Sequence, residues 1–131
     1  MSSPYNEALP ITGLVAGDDW TIRRTVVAIP TGQSLVMAWF TVKNNVNDED
    51  TAAVLQKEID LADDPGVGQI EDSGAGDGTA VLRFDLTKDN TLLFKPYVKY
   101  EYDVQVKTSA GKYNTPDRGL LIANSQVTRT V

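Results

Sequence analysis

The chain contains no cysteine and no histidine. Disulfide staples are therefore impossible, and so is any Cys/His metal site. Nucleophile–histidine dyads, catalytic triads and histidine acid/base chemistry go with them. The fold must stand on packing alone, in any redox compartment. Basic charge is also short. Lys and Arg number 12 against 18 Asp and Glu, a net charge of −6. A nucleic-acid partner needs a basic stripe to neutralise phosphates. Here only Arg23 and Arg24 are adjacent, so no nucleic-acid partner is expected. No window approaches the ~20 apolar residues of a membrane helix, so no membrane partner is expected. The opening "MSSPYNEALPITG" lacks the charged start and apolar run of a signal peptide. Synthesis in the cytoplasm is the expectation, with export only as part of an assembly.

What is present suits one domain. The 131 residues are 41% hydrophobic, enough for a core and too many for a disordered tail. Residues 1–12 carry two prolines and several polar residues, which predicts an extended arm. The remainder, 13–131, is a single domain. "ITGLVAG" suits a short first strand. In "DDWTIRRTVVAI", Trp20, Ile22, Val26 and Ala28 share one parity, interrupted by Arg24. "PTGQ" is a turn. "SLVMAWFTVK" (34–43) is apolar on both parities, which predicts a central strand covered on both faces and a buried Trp39. Residues 53–60 read as a strand, with a helical turn as the alternative. A short strand near Gln69–Glu71 and a glycine-rich turn at 73–78 precede a clear strand, in which Ala80, Leu82, Phe84 and Leu86 share a face. "TKDNTLLFKP" connects, with one helical turn capped by Thr87. Tyr100, Tyr102, Val104 and Val106 then alternate with Glu101, Asp103, Gln105 and Lys107. "RGLLIANSQVTRTV" supplies a last strand. Seven or eight strands, with turn signals about every ten residues, predict an all-β sandwich.

The stretch "LFKPYVKYEYDVQVKTSAGKY" crowds three tyrosines into six positions, Tyr97 to Tyr102. A stacking platform for sugars or bases needs exposed rings, whereas strand alternation buries Tyr100 and Tyr102. The spacing Pro96…Tyr100–x–Tyr102–x–Val104–x–Val106 resembles the tyrosine corner of immunoglobulin-like and fibronectin type III-like sandwiches. In that corner a tyrosine packs inward and its hydroxyl bonds to the backbone just upstream. Tyr100 matches it, with Phe94 and Pro96 alongside. Tyr97 lies off the pattern. The residues assigned to the core are Trp20, Trp39, Phe84, Tyr100, Tyr102 and Val104.

A wider resemblance covers about residues 13–131. The order "GDDWTIRRTV", "MAWFTVKNNV…AAVLQKEI", "GQI…GDGTAVLRFDL", "KYEYDVQVKTSAGK", "QVTRTV" is similar to small Ig-like domains of tailed bacteriophages, among them the amino-terminal domain of the phage baseplate upper protein family. The matching positions are Gly17–Trp20, Ala38–Lys43, Tyr100–Gly111 and Val127–Arg129. The resemblance implies an Ig-like sandwich located in a virion. It implies no catalytic residues, no cofactor and no metal. Its implied partners are other virion structural proteins (tail, neck or capsid subunits), with the chain itself oligomeric in the assembly.

Within that context a tail, baseplate or neck adaptor is the leading expectation, docking through its arms, 1–12 and 120–131. A capsid-decorating cement protein is the alternative. A carbohydrate-binding module for host adsorption is another, with Trp20, Trp39 and Tyr97 as candidate stacking residues. The acidic loops "NDED" (47–50) and "EDSGAGDG" (71–78) offer oxygen ligands suited to calcium, yet neither has EF-hand spacing. Gly74, Gly76 and Gly78 lack the Lys-Ser/Thr and helix of a phosphate loop, so a hairpin turn is expected there. Asp18 and Asp19 fit a strand-start turn. Asp85 and Asp103 have outward parity. A glycosidase would need such a carboxylate pair to share a pocket, which no motif provides.

Overall fold

A computed structural model describes residues 11–44 and 53–126. Most of the expected arm, the "NDED" loop and the "VTRTV" end lie outside the described residues. The elements run β1 (Trp20–Val26), β2 (Leu35–Lys43), β3 (Leu55–Ile59), β4 (Gly68–Ser73), β5 (Ala80–Leu86), α1 (Lys88–Thr91), β6 (Lys99–Thr108) and β7 (Tyr113–Ile122). They build two antiparallel sheets, ordered β1-β5-β4 and β3-β2-β6-β7. This is the B-E-D and C′-C-F-G arrangement of an immunoglobulin-like sandwich.

Period-two patterning explains the layers. β5 alternates buried and half-buried residues throughout, and β6 buries Tyr100, Tyr102, Val104, Val106 and Thr108. From β2, Ala38, Phe40 and Val42 enter the same core. The Phe40 ring lies 5.6 Å from Phe84 and 5.7 Å from Tyr102, joining the two sheets at the centre. Emptying such a site, as in Phe84→Ala, costs about 3–5 kcal/mol. The alternative left open at 53–60 resolves as a strand. Leu55 and Ile59 are buried while Gln56 and Glu58 are exposed, and the segment pairs antiparallel with β2 from Val42–Leu55 to Ala38–Ile59.

Four of the residues assigned to the core, Phe84, Tyr100, Tyr102 and Val104, are buried, and Trp20 is half-buried against the core. Trp39 corrects the expectation. It lies on the outer face of the four-stranded sheet, where its indole N–H donates to Glu58 Oε1 at 2.8 Å. Nothing among the described residues covers that face as a further layer. β2 is central within its sheet, and on its outer parity Met37 and Trp39 are half-buried while Thr41 is buried. The last strand also starts earlier than expected, at Tyr113. Pro116 is tolerated inside it because the β6–β7 register shifts between Val104 and Val106. "ITGLVAG" makes no full strand. It runs parallel to the end of β7 through isolated bridges, Ile11 to Leu121 and Val15 to Asn124.

Candidate functional site

One end of the sandwich, where β6 begins, combines a rigid frame with exposed apolar side chains. The frame follows from local chemistry. Thr87 caps α1 by accepting from the Asn90 N–H, and the Asn90 side chain accepts from the Thr87 N–H, a reciprocal capping box. Thr91 is fully buried and ties α1 to the strand-start turn. Its hydroxyl donates to the Asp18 carbonyl at 2.8 Å and accepts from the Gly17 N–H at 2.9 Å. The Asp19 carboxylate accepts from the Lys88 N–H at 2.8 Å, and the Asp18 carboxylate from the Gln126 amide at 2.7 Å. The chain does turn ahead of β1, with the Asp18 N–H donating to the Val15 carbonyl at 3.1 Å, but the two carboxylates bond distant residues and not their own backbone as the turn reading expected.

The chain then enters the tyrosine corner. The Tyr100 hydroxyl accepts from the Lys95 N–H at 2.8 Å, and its ring lies 5.5 Å from Phe94. The expected geometry is present at the expected residue. Tyr97 occupies the bend between them at φ 64°, a left-handed conformation that a non-glycine residue rarely takes. Its N–H donates to the Ala123 carbonyl at 2.8 Å, which holds the bend. Its side chain is 70% exposed, and Leu92, Leu93 and Val98 are exposed beside it in sequence. A cleft of about 500 Å³ adjoins them, lined by Ala16, Leu92, Phe94, Lys95, Pro96, Ser125 and Gln126. Apolar groups held out to water by a tied backbone suit contact with another macromolecule. In the sequence Leu92 and Leu93 read only as a connection, because exposure in a loop leaves no periodic signal.

The proposed stacking residues do not come together. Trp20 packs its ring edge towards Gly13, Trp39 sits on the outer sheet face, and Tyr97 stands at the corner. Asp85 and Asp103 are half-buried and lie on different sheets. The glycine-rich turn consumes its own acids. Asp72 accepts from the Gly74 N–H at 2.8 Å and Asp77 from the Thr79 N–H at 3.0 Å. Among the described residues no group of three or more acidic side chains is arranged to hold a metal.

One polar cluster escaped the sequence reading. Arg24, the interruption on the apolar parity of β1, reaches across to Asp117 on β7, joining the two sheets. Asp117 is only 1% exposed and also accepts from the Tyr102 hydroxyl at 3.2 Å. Burial opposes the charge on Arg24, but hydrogen bonds with Tyr102 and Asp117 more than offset it and raise its pKa. Burial pushes the Tyr102 phenol up as well, with Asp117 adding to the effect and Arg24 opposing it. The cluster is closed and satisfied, so its chemistry is that of a clasp. Arg23, its neighbour, turns outward to Glu71 at 3.0 Å. No family model matches this chain, and a search of curated proteins finds no match to it.

Proposed function

We propose that this domain is a non-enzymatic structural component of a tailed-phage particle. Its role is that of a tail, baseplate or neck adaptor docking on neighbouring virion subunits, oligomeric in place. The observation that carries the reading is the apolar end of the sandwich, where Leu92, Leu93, Tyr97 and Val98 are exposed on a hydrogen-bonded frame. Such a surface is stabilised when a partner covers it, at roughly 25 cal/mol per Å² of apolar area. The resemblance to phage Ig-like domains supplies the context. The positions that carry it, such as Trp20, Ala38–Lys43 and Tyr100, build packing and turns, which suits a scaffold. We propose the corner as a contact in addition to the arms, 1–12 and 120–131, whose Ser125 and Gln126 line its cleft.

The test is location. Purified particles are split into heads and tails, and mass spectrometry gives the ratio of this protein to the major capsid subunit. A tail fraction at few to tens of copies is the expected result. A head fraction at hundreds of copies would make it a decoration protein. Absence from both fractions would overturn the virion reading.

A further inference from the structure

We infer that the outer face of the four-stranded sheet carries a binding strip for an uncharged saccharide, built on Trp39 and Tyr113. This site lies away from the apolar corner and does not rest on the virion reading.

The strands bring the two rings together. Trp39 on β2 and Tyr113 on β7 flank β6, opposite Gln105 and Lys107 respectively. Their centroids are 6.1 Å apart and their planes within 26°. At that separation near-parallel rings are laterally offset, so they extend one aromatic surface. Tyr113 is 56% exposed. Trp39 is fixed by its indole bond to Glu58, its register partner on β3. Rings held on a sheet lose little freedom on binding.

The chemistry around the strip selects the ligand. An aromatic face carries partial negative charge and attracts polarised C–H groups. A sugar ring offers C–H groups on its face and hydroxyls around its rim. Hydroxyls need both donors and acceptors, and the strip has both. Glu58 and Gln105 provide acceptors, and Gln105 and Lys107 provide donors, the Lys107 Nζ lying 5.6 Å from the Tyr113 centroid. A nucleobase would also stack. Its phosphates would meet Glu58 on a chain of net charge −6, which disfavours that ligand.

The test uses the intact, isotope-labelled protein, whose two tryptophans give separable indole N–H signals. Maltohexaose, cellohexaose, chitohexaose and an oligothymidine are titrated in turn. The expected result is a saturable shift of the Trp39 indole with at least one hexasaccharide, Kd on the order of 0.1–1 mM. Tyr113→Ala raises that Kd by about ten-fold, and Leu93→Ser at the corner leaves it unchanged. Three results would each overturn the inference: no saturable shift with any of the three sugars, a preference for oligothymidine, or unchanged binding in Tyr113→Ala.

Discussion

Arg24 has the charge of a surface residue and the strand parity of a core residue. Its position makes sense only with Asp117, and removing one partner strands the other in the interior. Arg24→Met should cost about 3–5 kcal/mol, while the double variant R24M/D117L should recover most of that loss in chemical denaturation. Tyr102 adds a pH dependence. Its phenol pKa is raised in the folded state, so the folded chain keeps a proton that the unfolded chain gives up. That contribution is complete below the ordinary tyrosine pKa of about 10 and fades as pH rises through the folded value. Melting temperature should therefore fall above about pH 10, and fall less steeply in Tyr102→Phe. Of this cluster only the break that Arg24 makes in an apolar parity was legible. Asp117 could not be picked out, because the register shift opposite Pro116 breaks the alternation that would have assigned its face.

At the level of elements, legibility followed the range of the interaction. The α1 cap spans Thr87 to Asn90 and the tyrosine corner spans Lys95 to Tyr100, so neighbouring residues suffice to specify them. Tyr100→Phe should cost about 1–3 kcal/mol, since it leaves the Lys95 N–H without its acceptor. Trp39 was misplaced for the opposite reason. β2 is apolar on both parities, and only which of its faces packs on the second sheet decides which side is the core. The corner makes a second prediction. Tyr97→Asn keeps the left-handed bend with a residue that adopts it more readily, so stability should hold or rise by about 1 kcal/mol. Affinity for the docking partner should drop at the same time, measured by pull-down from disrupted particles. A parallel loss of both would mean that Tyr97 serves the fold alone.

The two sheets are joined at their centre by the rings of Phe40, Phe84 and Tyr102 and by the Arg24–Asp117 clasp, to which the Tyr102 hydroxyl also bonds. These lie far apart in sequence, which is why the sandwich could be inferred from strand count while its contacts could not. The segment after Ile11 adds one more device. It runs parallel to the end of β7 through four backbone bonds, which the Asn124 side-chain amide supplements: Ile11 N–H to the Leu120 carbonyl, Ile122 N–H to the Ile11 carbonyl, Asn124 N–H to the Leu14 carbonyl, and Ala16 N–H to the Asn124 carbonyl. Because the two stretches point the same way, tension applied at Ile11 and Gln126 pulls them past each other lengthwise. All four bonds are then loaded in shear together, where a hairpin pulled from its open end would yield one bond at a time. Stretched between those points by an optical trap, the domain should resist until one abrupt event. Ala16→Pro, which deletes one donor of the four, should lower the rupture force, whereas pulling across β4 and β5 should not feel the change. A domain fastened in this way transmits load along its length with little extension, the property of a rivet more than of a spring.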